Sequence, residues 1–406
     1  MPTVTLGPGA PYELNTPRRQ YRQRIGALAR RIHGWTWQAF PIGMGTSAVY
    51  VTMSGLKQRS STMIAVETIF FFLNFALFLL NTSTLALQAV LYPRQAKRLV
   101  TDPTKNIFVP LVVLSFATLI IGTINYAVVP GLMDPSIVYG LFWVYVTLSI
   151  GVSFPLLVIW FWKPHDIKTF TPAWAFLIFP MMLVGVVAFN VLKTMDPADN
   201  RAVGVLFLGY FFQGIGFFVT MFYICIYFLR IMMTGFMDGH QARPSFVACG
   251  PPGFTALALI NLGKRARDIL PAHGLVSQSA GEVWFSASVV TALMLFGLAI
   301  FLVVFGALPY WFKLHKHLNE ILGCWALTFP NVGWISTIGA LSDVLSIPGL
   351  ADVQVIFVIM IGFLWLILFT LTIVAFKRGL ILCAKDEVVI KDMEEDMEKK
   401  EKEGMV

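Results

Sequence analysis

The sequence predicts an all-α integral membrane protein made of paired transmembrane helices, with the first helix of each pair turned inward. Three observations carry this. The chain of 406 residues is 57% hydrophobic and only 13% charged, with a mean hydropathy of +0.73, whereas soluble domains average about 25% charged residues. Its apolar runs are continuous and of span length, as in FFFLNFALFLL from Phe70 and VIFVIMIGFLWLILFTLTIVAF from Val355; a transmembrane barrel shows short alternating segments instead. A proline also recurs about every 70 residues inside an apolar window, the mark of one structural unit repeated.

The windows are FPIGMGT from Phe40, FVPLVVLS from Phe108, FPMMLVG from Phe179, GPPGFT from Gly250 and FPNVGW from Phe329, which align Pro41, Pro110, Pro180, Pro252 and Pro330. Each period holds one apolar run with the proline and one without, so five periods make ten spans. Their expected limits are 35–56, 63–91, 107–129, 136–162, 172–192, 201–233, 245–263, 282–312, 322–343 and 353–380. The second run of each pair is the longer, as a tilted or extended helix requires.

Residues 1–34 form a basic arm with Arg18, Arg19, Arg22, Arg24, Arg30 and Arg31. It reads as a topology anchor. The stretch YRQRIGALARRI also suits a surface helix with Ile25, Leu28 and Ile32 on one side. No removable signal peptide is expected. At the other end, residues 381–406 carry mixed charges and few aromatics, the composition of a solvated helix or unstructured tail. Between pairs lie Arg94, Lys97, Arg98, Lys105, Lys163, Lys168, Arg230, Arg243, Lys313 and Lys316; within pairs lie Lys57, Arg59, Lys193, Arg201 and the basic run Lys264, Arg265, Arg267. With the two ends, roughly three-quarters of the cations fall on one side, so both termini are expected in the cytosol. This placement explains the net charge of +8 by membrane topology, without nucleic acid as a partner.

Proline within a helix removes an amide donor and crowds the carbonyl four residues back. Broken backbone at membrane depth must be packed in protein or line a polar cavity. Five such breaks at matching depth therefore place the odd helices at the centre of the bundle. Small and hydroxyl-bearing residues follow the prolines, and Thr46, Ser47, Ser115, Thr118, Thr255, Asn331 and Ser336 are the candidate pore-lining side chains. Taken singly, each also reads as close helix packing. Phe40, Phe108, Phe179, Phe254 and Phe329 flank the prolines; such aromatics pack helices together, or gate a constriction by dewetting. Arg230 either snorkels to the interface or serves as a vestibule cation for a carboxylate.

Other chemistry is missing from the chain. It has no GxxxxGK[ST] loop, so transport is not ATP-driven. No metal-ligand spacing and no catalytic constellation is present; Cys225, Cys249, Cys324 and Cys383 are isolated, and His33, His165, His240, His273, His315 and His317 lie in flanks or loops. No enzyme activity, metal or cofactor is expected. Glu67 is the carboxylate nearest a span centre, close to the outer boundary. Such a scarcity of intramembrane acids disfavours a fixed carboxylate relay and favours a channel-like path, or a substrate that carries its own proton.

The segments RPSFVACGPPGFTALALI from Arg243, CWALTFPNVGW from Cys324, TPAWAFLIFPMMLVGVVA from Thr171 and FPIGMGT in the first span resemble the tellurite-resistance/dicarboxylate transporter family, in particular its fungal malic acid transporters. TehA and the plant slow-type anion channels are similar in fold. The resemblance covers residues 35–380 and departs at Ser47 and Ala48, where a glycine-rich run is usual. It implies five helical hairpins in quasi-five-fold arrangement, odd helices lining a central pore, and Phe329 of the TFP segment as the gate. The implied substrates are C4-dicarboxylates such as malate and succinate, carried across the plasma membrane by a homo-oligomer, typically a trimer. A chloride or nitrate channel and a sulfite efflux pump are the alternatives of the same fold.

Overall fold

A computed structural model describes residues 26–237, 243–307 and 320–402. Most of the basic arm, together with Arg22, Ile25, His240, Lys313, His315, Lys316, His317 and the last four residues, lies outside the described residues. Among those described there are helices and no strand. After a short helix α1 (Ala27–Gly34) come the helices α2 (Phe40–Ser54) and α3 (Ser61–Leu91), then a surface helix α4 (Pro93–Thr101). The next hairpins are α5 (Leu111–Thr123) with α6 (Pro135–Phe161), and α7 (Phe179–Leu192) with α8 (Asn200–Thr234). They are followed by α9 (Gly250–Ala272) with α10 (Ala280–Ala307), α11 (Phe329–Leu345) with α12 (Leu350–Lys377), and a terminal helix α13 (Asp386–Lys402). Among the described residues eight helical stretches are long and apolar enough to cross a membrane, α7 is a shorter apolar helix, and α2 has 15 residues.

The inner and outer positions separate by burial. In the most apolar 18-residue stretch of Ser245–Ala272, 89% of residues are buried within the protein, against 22% for its partner Ala280–Ala307. The same contrast divides Pro103–Val128 and Ile321–Leu345, at 72% and 67%, from Ser61–Leu91 at 17%. The buried helices close on themselves: α2 packs on α5, α5 on α7, α7 on α9, α9 on α11, and α11 back on α2. Each also packs on its own hairpin partner, which faces outward and exposes residues such as Phe72, Phe218, Met294 and Phe363. Closure needs close backbone approach. A Cβ on Gly333 would meet the Phe254 amide nitrogen at 2.4 Å, and one on Gly253 would meet that of Trp334 at 2.7 Å, so α9 and α11 cross where both lack a side chain.

The repeated prolines open these helices; they do not bend them midway. Pro41, Pro180, Pro252 and Pro330 fall in the first turn of α2, α7, α9 and α11, and Pro110 stands at the N-cap of α5. A first-turn amide has no intrahelical partner to lose, and proline presets the backbone there. A 3₁₀ segment leads into four of them: Trp37–Ala39, Pro172–Leu177, Arg243–Cys249 and Trp325–Leu327. The expected mid-helix kinks are therefore 3₁₀-to-α junctions or, before α5, a tight turn. A second boundary also moves. Lys264, Arg265 and Arg267 belong to the last turns of α9, which runs to Ala272, and not to a loop after residue 263.

Both ends of the described chain lie on one face, here the terminal face, and are tied together. Val389 of α13 packs with Ile32 and Tyr92. Asp392, 3% exposed, accepts from His33 Nε2 at 2.8 Å and from Arg98 Nη2. Arg94 pairs with Glu395 at 2.6 Å, and the Ala384 amide donates to the Arg30 carbonyl at 3.0 Å. The start of the charged tail is thus docked, where a solvated segment was expected. Asp392→Ala leaves the buried His33 without its partner, at a cost of about 1–3 kcal/mol. Trypsin should then cut at Lys385 and Lys391 much faster than in the wild type; equal rates would mean that Asp392 does not hold the helix.

Candidate functional site

Inside the ring, on the terminal-face side, lies a cavity of about 610 Å³. Its wall draws on every inner helix: Pro41 and Met44 of α2, Leu111 of α5, Phe179 and Leu183 of α7, Gly250 and Phe254 of α9, Phe329 and Pro330 of α11. The inner helices begin around this space, so the partial positive charge of each N-terminal turn is gathered near it. The wall is mostly apolar, and Gln38, Thr104, His165, Thr169, Thr171 and Glu320 supply its polar side chains. An apolar cleft with few polar groups is the common form of a small-molecule site.

Four of the five repeated phenylalanines reach this wall: Phe108, Phe179, Phe254 and Phe329. Phe254 and Phe329 lie with ring centroids 5.1 Å apart and planes at 33°, and Phe176 meets Phe179 edge-on at 5.5 Å. Phe40 is the exception. It is buried against Trp37 and Phe78, between α2 and the outer ring.

The hydroxyl and amide candidates stand elsewhere. Thr46 accepts from Trp365 Nε1 of α12 at 3.0 Å and donates to the Ile42 carbonyl at 2.8 Å. Ser47 donates to the Met44 carbonyl at 2.6 Å. Thr118 accepts from Asn74 of α3 at 3.0 Å, and Thr255 from Gln213 of α8 at 2.8 Å. Ser115 and Ser336 have buried hydroxyl oxygens that make no hydrogen bond with the described residues. Asn331 donates to the Leu327 carbonyl at 2.7 Å and accepts from Trp334 Nε1 at 2.7 Å. Apart from Ser115 and Ser336, these groups join inner helices to outer ones or to their own backbone, and none of the set is on the cavity wall. Arg230, near the end of α8, donates from Nη2 to the Lys168 carbonyl at 2.8 Å, which anchors the loop between α6 and α7.

That loop carries a feature the sequence did not flag. His165 stacks on Trp160 at 4.0 Å with planes at 12°, and Trp174 meets it edge-on at 4.9 Å; all three line the cavity. The aromatic density of IWFW before His165 was the available signal, but a histidine between two spans reads first as a surface residue.

At the opposite face the inner helices end among cations. Lys193 Nζ donates to Asn190 Oδ1 at 2.8 Å, and Lys57 pairs with Asp343 at 3.0 Å. Arg265, Lys264 and Arg59 stand near the Lys193 ammonium. Arg59 also meets Glu67 at 3.1 Å, and Tyr126 donates to the same carboxylate oxygen at 3.1 Å. Glu67 is fully buried on α3, away from the cavity wall, which fits a structural ion pair. A mouth with this charge concentrates anions.

Among the described residues no cluster of His, Cys, Asp and Glu could hold a metal ion. Residues 34–373 match the family described as SLAC1, voltage-dependent anion channel. The chain is 28% identical over 313 residues to the malic acid transport protein of Schizosaccharomyces pombe, covering 76% of this chain and 71% of that one. It is 24% identical over 370 residues to the sulfite efflux pump SSU1 of Arthroderma otae, covering 86% and 95% of the two chains. The SSU1 pump of Trichophyton rubrum is 22% identical over 349 residues, covering 84% and 89%. With its apolar paired helices and closed inner ring, this multi-pass membrane protein belongs to the SLAC1 family of anion channels and transporters.

Proposed function

We propose that the protein carries C4-dicarboxylates, malate and succinate among them, through the space inside its inner ring. The observation that supports this most is the cavity: apolar walls, five helix beginnings around it, and paired phenylalanine rings at Phe254 and Phe329. A dicarboxylate has costly charges to desolvate. Helix N-termini and peptide dipoles offset that cost without buried lysines, while the apolar wall suits the carbon chain between the carboxylates. The 28% identity to a malic acid transport protein points the same way. In this reading Phe329 closes the path, both termini are cytosolic, the membrane is the plasma membrane, and subunits associate with one pore each. Hydroxyls such as Thr46 and Thr255 shape the ring from behind and do not contact the anion.

Sulfite efflux is the second reading, favoured by the match along 95% of the length of an SSU1 pump. Purified protein in liposomes separates the two. Labelled malate uptake should be saturable, inhibited by succinate, and independent of ATP. Sulfite flux with no malate flux would replace the dicarboxylate reading with the second one.

A further inference from the structure

We propose that His165 binds a carboxyl group of the substrate together with one proton, at the terminal-face end of the cavity. The inference rests on the reading of the cavity as an anion path, and not on which anion it prefers.

His165 Nε2 lies 2.9 Å from the Trp160 carbonyl oxygen. A carbonyl oxygen only accepts, so Nε2 carries a hydrogen. The face of the imidazole is covered by the Trp160 indole and its edge by Trp174. The loop itself is fixed: Asp166 caps its 3₁₀ turn, Arg230 holds the Lys168 carbonyl, and Phe170 is fully buried. Tautomer and orientation are therefore set before a ligand arrives. What remains is Nδ1, which makes no hydrogen bond with the described residues, on a ring that lines the cavity.

Nδ1 and a carboxyl oxygen can share a hydrogen bond in two ways. An imidazolium donates to a carboxylate, or a neutral imidazole accepts from a carboxylic acid. One proton lies between the partners in both cases; with none, two lone pairs face each other. Binding therefore takes up a proton whenever both partners arrive without it. Imidazole is the side-chain type suited to exchanging a proton near neutral pH. Lys163, Asp166 and Lys168 share the loop, Arg230 reaches it from α8, Asp102 and Lys105 lie before α5 near Lys163, and Glu320 stands on the cavity wall. These are the titratable and charged groups around the ring. His165 and Glu320 are the ionisable side chains among the wall residues, and a carboxylate cannot play the donor's part for an anion.

The test uses proteoliposomes with the terminal-face pH varied from about 6 to 8, the range of imidazole titration. Nitrate current serves as the first probe, because a strong-acid anion brings no proton of its own; malate uptake is the second. In the wild type, the apparent KM for nitrate at that face should rise with pH, by at most about tenfold per unit, the slope of one linked proton. His165→Asn puts an amide donor near the Nδ1 position and should flatten the profile while keeping a low KM. His165→Phe keeps the stack on Trp160, loses the donor, and should give a high, flat KM. If both variants keep the wild-type KM and pH profile, the proposal is overturned. If malate is not carried but the nitrate profile depends on His165 as stated, the dicarboxylate reading fails and this one stands.

Discussion

Phe329→Ala should raise the small-anion current several-fold per folded protein. Phe329 stands at the first turn of α11, on the cavity wall, with its ring against that of Phe254 at 5.1 Å. If the anion path passes these two neighbouring apolar rings, they exclude water as well as ions, and loss of one lowers both barriers. The competing role is packing. Phe329 is 8% exposed, and truncation of a fully buried phenylalanine costs about 3–5 kcal/mol. One side of this ring already borders empty space, so the loss should fall toward or below the lower end. The two roles differ in the sign of the current. Nitrate current in planar bilayers, normalised to protein that elutes as a single peak, decides between them. A rise with modest loss of thermal stability fits the gate; a large loss of stability with no rise leaves packing as the role of Phe329. Malate flux need not follow the nitrate current, since a wider path loses contacts with a larger ion.

The architecture was readable because it repeats. The period near 70 residues located every hairpin, and the prolines marked the start of every inner helix, although as junctions and not as bends. The side chains facing the cavity were not readable, and the reason is physical. An inner helix is apolar on all sides: every residue of α7 from Phe179 to Leu192 is buried. Without an amphipathic stripe, periodicity cannot tell the face toward the pore from the face toward the outer ring. Thr46 and Thr255 were thus legible as polar groups inside a bundle but not as partners of Trp365 and Gln213. The ties between His33 and Asp392, and between Arg230 and the Lys168 carbonyl, join residues far apart in sequence, which no local pattern reports. The phenylalanines fared better, because their register with the prolines carries depth as well as identity.

The central claim is that the anion path runs through the cavity inside the ring, and Ala326→Trp tests it by filling that space. Ala326 belongs to the 3₁₀ segment Trp325–Leu327, is half-buried, and lines the cavity. Its methyl group borders open volume, so an indole can extend into the cavity without displacing packed neighbours, unlike most substitutions in a dense interior. The stability change should stay small, whereas a path through this cavity should close. Paired liposome preparations of wild type and Ala326→Trp, matched for folded protein, allow a direct comparison of labelled malate uptake. Uptake in the variant should fall to the level of protein-free liposomes, with an unchanged elution profile. Uptake at the wild-type rate in a folded variant would contradict it and place the path outside the inner ring.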